Sequence, residues 1–185
     1  MAAQKRFENI EPTHREFIEA QHMFFAATAA PDGRVNLAPK GHDSLRVIGP
    51  NRIVWLSLTG SENETAAHLK ESSRMTLMWC SFEKTPLILR AYGEAAMVYP
   101  SDEGWDALAA LFPASPATRQ FFDLRVDLVL TSCGFGVPLY EYVGQRDTLV
   151  KWGERKGPDG VKAFWAERNV ESLDGKPTGI LQSSS

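Results

Sequence analysis

The sequence predicts an α+β fold, mainly β, in which an antiparallel barrel carries helices packed around it. Three observations predict it. About seven segments have the apolar content or the two-residue alternation of strands. Tight turns such as Pro31-Asp32-Gly33 and Gly49-Pro50-Asn51 join consecutive segments. The helical stretches are too few and too irregularly placed for the strand–helix alternation of a parallel sheet.

Taken in order, Thr13-His14-Arg15-Glu16 behind Pro12 forms a capping box that opens a helix over 13–20. Residues 23–29 form a strand closed by the Pro31-Asp32-Gly33 turn. Over 34–40, Val35 and Leu37 alternate with Arg34, Asn36 and Ala38, as in a half-buried partner strand. Segments 46–48 and 52–58 make the next hairpin. Ser61-Glu62-Asn63-Glu64 is a second capping box, leading a helix to about residue 72 with Ala67 and Leu69 inward.

Strands over 74–82 and 87–98 flank a Lys84-Thr85-Pro86 turn, and 102–112 is helical. Over 122–132, Leu124, Val126, Leu128 and Leu130 alternate with Arg125, Asp127 and Val129, running into the Gly-rich stretch 132–138. A short strand is expected over 137–143. Two terminal helices follow, over 147–156 and 161–168, split by Gly157-Pro158-Asp159-Gly160. Residues 1–185 are expected to form one domain with C-terminal helices from about 146–170, and the tail 180–185 is expected to fray.

Composition narrows the function. The chain has 185 residues, 43% hydrophobic, and its 20 Lys and Arg against 23 Asp and Glu leave a net charge of −3. That balance offers no general pull toward nucleic acid or an anionic membrane. No apolar run approaches the ~20 residues of a membrane span, and residues 1–12 lack the apolar core of a signal peptide. A cytoplasmic protein with no membrane or nucleic-acid partner is expected. Cys80 and Cys133 fit no CxxC spacing and read as reduced thiols. His14, His22, His42 and His68 show no metal-ligand spacing, so no metal is expected. Dinucleotide, P-loop and nucleophile-elbow fingerprints are absent.

Two places combine strand ends with ligand-holding groups. At Leu58-Thr59-Gly60-Ser61, a strand passes through a glycine into a helix start bearing Ser61, Asn63 and Thr65, whose hydroxyls, amide and free backbone N–H groups suit a phosphate. An ordinary capped helix is the plainer account of the same residues. At Asn36-Leu37-Ala38-Pro39-Lys40, an ammonium at a strand end could sit beside an anionic ring or phosphate, or simply be solvated. Arg90, flanked by apolar residues, needs a partner or a cavity, because an unpaired buried charge costs several kcal/mol. No side chain stands out as an acid or base.

Taken together, the segments Met23-Phe24-Phe25-Ala26-Ala27-Thr28-Ala29, Arg34-Val35-Asn36-Leu37-Ala38-Pro39-Lys40-Gly41, Gly60-Ser61-Glu62-Asn63-Glu64-Thr65, Leu89-Arg90-Ala91-Tyr92-Gly93 and Ser132-Cys133-Gly134-Phe135-Gly136-Val137-Pro138 resemble the pyridoxamine 5′-phosphate oxidase-related FMN-binding proteins. The resemblance spans roughly residues 17–177. It implies an antiparallel split β-barrel, FMN as cofactor, and a homodimer with FMN at the subunit interface. It further implies FMN contacts from Asn36, Ala38, Pro39 and Lys40 along one strand, from Ser57, from Ser61, Asn63 and Thr65 at the helix start, and from Arg90. Glu62 and Asn63 stand where the true oxidase has an Arg–Lys pair, and the C-terminal Arg-x-His of that enzyme has no counterpart. The resemblance therefore implies an uncharacterised branch, an FMN-dependent oxidoreductase on a small molecule other than pyridoxamine phosphate. The alternative expectation is a non-catalytic carrier of FMN, haem or a deazaflavin.

Overall fold

The structure, a computed structural model, describes residues 4–181. In chain order the elements are β1 (Lys5–Phe7), α1 (Pro12–Ala20), β2 (Phe24–Thr28), β3 (Asn36–Lys40), β4 (Leu45–Gly49), β5 (Arg52–Leu58), α2 (Glu64–Leu69), β6 (Arg74–Cys80), β7 (Ile88–Val98), α3 (Trp105–Ala109), β8 (Thr118–Ser132) and α4 (Thr148–Arg168). The strands form one antiparallel sheet in the order β3-β2-β6-β7-β8-β5-β4. β8 is the spine. One of its edges pairs with β7, and the other is shared by β5 and, further on, β1.

The sheet rolls up without closing. Phe24 on β2 lies edge-on to Trp55 on β5, ring centroids 5.9 Å apart, although three strands separate β2 from β5 in the ladder. Lys40, on the edge strand β3, sits over the same Trp55 ring at 5.6 Å. Side chains thus bridge the seam that no backbone ladder joins, and this is the barrel with a slit that the strand pattern and the resemblance imply. Alternation sends Phe24, Ala26, Leu77, Trp79, Leu89, Ala91, Trp55, Phe122 and Leu124 inward, where all are buried. On the outer face of β5 and β8, Val54, Leu56 and Phe121 pack under Leu108 and Phe112 at α3. β7 and β8 approach so closely at a bulge that a Cβ on Gly93 would lie 1.9 Å from the Arg125 carbonyl oxygen, so only glycine fits there.

Several local expectations need correction. α1 is capped by Glu11 with Pro12 at its first turn, and Glu11 N donates to His14 Nδ1, so Thr13–Glu16 is not the box. α2 starts after Asn63 rather than Ser61 and has only six residues, with no side-chain cap. Buried Asn63 spends its amide elsewhere, as described below. Residues 137–143 form no strand: Tyr140 N bonds the Phe82 carbonyl, and most of the segment is exposed with no partner ladder. β1 was not foreseen, being three residues that pair only because β8 overruns β5. The two terminal helices appear as α4, broken by Gly157 at φ 65. Ile180 is buried with Val161 and Trp165 rather than frayed, while 182–185 lie outside the described residues. Among the described residues, no helix is long and apolar enough to cross a membrane.

Candidate functional site

The slit opens into cavities that follow β3. The first, about 170 Å³, is lined by Asn36, Ala38 and Lys40 from β3, Trp55 and Ser57 from β5, and the loop into α2 with Ser61, Asn63 and Thr65. Seven of the nine residues expected at a cofactor site therefore face one hollow. Pro39 lines the adjoining cavity of about 250 Å³, which shares Lys40, Trp55, Ser57 and Gly60 with the first. Arg90 lines neither; its guanidinium donates to Ser132 Oγ at 3.3 Å.

Arg119 is the residue that sequence reasoning missed. It lines the first cavity yet is only 4% exposed. Its position has a local cause: Ser57 pairs with Gln120 but Leu58 pairs with Thr118, so Arg119 is the extra residue of a bulge in β8. A bulge interrupts strict alternation and re-aims a side chain. Nη1 donates to the Glu62 carbonyl and to Asn169 Oδ1, both at 2.9 Å, and Nη2 donates to Ser57 Oγ at 3.1 Å. Nε is buried with no partner. The strand expected from residue 122 stopped short of Arg119; the run Thr118-Arg119-Gln120-Phe121 was the available signal.

α4 and the segment after it lock this arginine in place. Asn169, fully buried, presents Oδ1 to Arg119 and donates from Nδ2 to the Gly60 carbonyl at 3.1 Å. Trp165 Nε1 donates to Thr59 Oγ1 at 2.8 Å, and Thr59 Oγ1 donates to the Ala117 carbonyl. The loop at residues 59–62 and the bulge at 119 are thus held by one hydrogen-bonded frame.

The electrostatics are unbalanced. Among the described residues neither Arg119 nor Lys40 joins an ion pair. Burial, helped by the Arg119 charge, lowers Lys40 to about 8. Burial lowers Arg119 to about 10, so it stays cationic at neutral pH. Glu64, which lines the same cavity, turns its carboxylate to the backbone N–H of Leu173 at 2.7 Å. Glu62 also lines the cavity, yet among the described residues neither carboxylate pairs with Arg119 or Lys40; these two cations, one carrying an unmade N–H bond, form a receptor for an anion such as a phosphate monoester.

The remaining polar groups are partly committed. Asn63 and Gln120 exchange amide hydrogen bonds, at 2.7 Å and 3.4 Å. Asn36 Nδ2 donates to Thr28 Oγ1 at 3.2 Å and to Thr65 Oγ1 at 3.0 Å, and Thr28 Oγ1 in turn lies 3.1 Å from His68 Nδ1. These bonds shape the wall of the hollow. The groups left to hold a ligand are the guanidinium, the ammonium, the hydroxyls of Ser57 and Ser61, and loop N–H groups.

A family model described as pyridoxamine 5′-phosphate oxidase matches residues 10–133. The chain is 31% identical, over 189 residues, to the pyridoxamine 5′-phosphate oxidase family protein ustO of Aspergillus flavus, covering 92% of this chain and 76% of that protein. Among solved structures it is similar to HupZ of Group A Streptococcus, at 16% identity and a TM-score of 0.54 over 66% of this chain and 99% of that one. It is equally similar to a Lactobacillus delbrueckii protein named as a candidate pyridoxamine 5′-phosphate oxidase, at 17% identity and a TM-score of 0.54 over 66% and 94% of the two chains. These two structures share its split-barrel fold.

Proposed function

The chain belongs to the pyridoxamine 5′-phosphate oxidase family, and from that premise we propose that it holds FMN in the slit of its barrel. It acts as an FMN-dependent oxidoreductase on a small molecule. The observation that carries this reading is a pair of cations without an ion-pair partner, buried Arg119 and half-buried Lys40, in one hollow with Ser57 and Ser61. A flavin phosphate fits that donor set: the guanidinium and hydroxyls would hold the phosphate, and the Lys40 ammonium would stabilise negative charge on the ring. The flavin supplies hydride chemistry; the chain binds it, orients it and sets the charge around it. The C-terminal Arg-x-His that grips the vitamer in the true oxidase has no counterpart in the run Asn169-Val170-Glu171-Ser172, which favours a substrate other than pyridoxamine phosphate.

The assembly is a homodimer. Val35 and Leu37 on the outer side of the β3 edge are 74% and 62% exposed, beside an outer groove of about 420 Å³ with Ala27, Thr76 and Tyr92. Apolar surface of this kind is what a second copy covers. Cys80 and Cys133 are free thiols, in keeping with a cytoplasmic protein.

The test is a paired titration with FMN and riboflavin, which differ only in the phosphate. FMN should bind tighter by about two orders of magnitude, the worth of one or two charge-assisted hydrogen bonds. At 100 times its dissociation constant it should add about 2.7 kcal/mol of stability. Equal affinities, or no thermal shift with FMN, would overturn the reading.

A further inference from the structure

Beyond the two cavities that follow β3 lies a third, larger one of about 470 Å³. It neighbours the second of them, and His42 and Ser44 line both. Phe24 and Trp79, 4% and 1% exposed, face it from the barrel interior. Its mouth is crossed by the chain between β8 and α4. That strap is pinned at Phe82, whose carbonyl accepts from Tyr140 N at 3.0 Å, and at His22, whose carbonyl accepts from Gln145 Nε2 at 2.7 Å. Between those pins the Tyr142 ring stacks on the His22 imidazole at 3.5 Å, with the planes 11° apart.

The charges here are already matched. Arg15 bonds Glu19 at 2.9 Å and also the Val47 carbonyl. Arg46 bonds both Asp43 oxygens and the Leu111 carbonyl, with its guanidinium 4.8 Å over the Phe112 ring. An incoming anion would have to displace carboxylates held by these arginines, whereas a neutral ring can lie against the exposed Tyr142 ring. Between the two cavities, His42 holds φ 62, in the left-handed region that few non-glycine residues adopt and that histidine enters more readily than most.

We propose that this cavity is a second binding site, for a neutral, flat aromatic or conjugated molecule of one or two rings, seated between the Phe24–Trp79 side and the Tyr142–His22 stack. Its role as the substrate site rests on the flavin reading above; its ligand class does not. The volume lies within the range of small-molecule sites, and the lining sets Phe24, Trp79 and Tyr142 among side chains that are mostly polar or already ion-paired.

The test uses two probes of matched shape, 2-naphthol and 2-naphthoate, titrated calorimetrically into the full chain at pH 7 with and without FMN. One 2-naphthol should bind per chain, with 2-naphthoate about tenfold weaker or more. Tyr142→Ala and His22→Ala should each weaken 2-naphthol about tenfold, the scale of a lost ring contact, while Tyr142→Phe retains the affinity. FMN affinity should be unchanged in all three. Naphthoate binding as tightly as naphthol, unchanged naphthol affinity in Tyr142→Ala, or no naphthol binding to the wild type would overturn the proposal. A chain that binds naphthol but not FMN would leave the site standing and remove the flavin reading. A chain that binds FMN but not naphthol would do the reverse.

Discussion

The two ends of the slit handle their arginines in opposite ways. Arg15 and Arg46 meet carboxylates on their own elements or loops, and the cavity they line is close to neutral. Arg119 is far more buried, yet it meets only neutral acceptors: a backbone carbonyl, an amide oxygen and a hydroxyl. A folded chain gains nothing from desolvating a guanidinium beside an ammonium unless something else supplies the anion. The contrast teaches that charge left unmatched under burial, rather than charge as such, marks where an anionic ligand belongs. On the readings proposed above, the cavity at Arg119 takes the phosphate and the neighbouring charge-matched cavity takes the uncharged ring.

The sharpest way to break that contrast is Arg119→Met. FMN affinity should fall about a hundredfold or more, with loss of the FMN-induced thermal shift, while riboflavin affinity changes little. A variant that still prefers FMN over riboflavin would show that the phosphate lies elsewhere.

Lys40→Met tests the other cation through pH. Because the folded Lys40 lies near 8, FMN affinity of the wild type should decline as pH rises past that value, and the variant's profile should be flat there. The sign for folding follows from the same shift. The lysine is lowered from 10.5 in the unfolded chain, so the unfolded state binds more protons between about 8 and 10.5. Its burial therefore opposes folding below pH 8, and that penalty is relieved as pH rises through the window. Urea denaturation of ligand-free wild type and Lys40→Met at pH 7 and pH 10 should show the wild type gaining relative to the variant. A constant difference would place the ammonium in solvent.

Asn169→Ala should act more mildly, because it removes an acceptor from Arg119 and a donor from the Gly60 carbonyl without touching the ligand. FMN affinity should drop about tenfold, with preference for FMN over riboflavin retained, as measured by the same paired titration. Smallest of all is Arg90→Met, which should leave FMN affinity within twofold, since Arg90 lies outside the two cavities along β3. A large loss there would mean that the ligand extends beyond them.

The sheet was legible because its strands are written in alternation: Leu124, Val126 and the β3 run 36–40 needed only a two-residue period. The clustering of Asn36, Lys40, Ser57 and Thr65 was legible because a strand, a glycine and a helix start recur in a recognisable order. Arg119 was not, because a bulge breaks the period that makes strands readable, and its partner Asn169 lies fifty residues further on. The cap at Ser61 was misread for a related reason. Capping boxes are local patterns, and the pairing of Asn63 with Gln120 is tertiary. The strap over 137–147 had strand-like residues but no neighbour to pair with, which no local pattern reports.

The unclosed ladder has a further consequence. A barrel that leaves a slit also leaves β3 as a bare edge, and an exposed row of backbone donors invites strands from other molecules to dock and stack. Pro39, the fourth residue of that five-residue edge, has no N–H to offer. A residue that lines the second cavity also interrupts the template along which identical chains could polymerise.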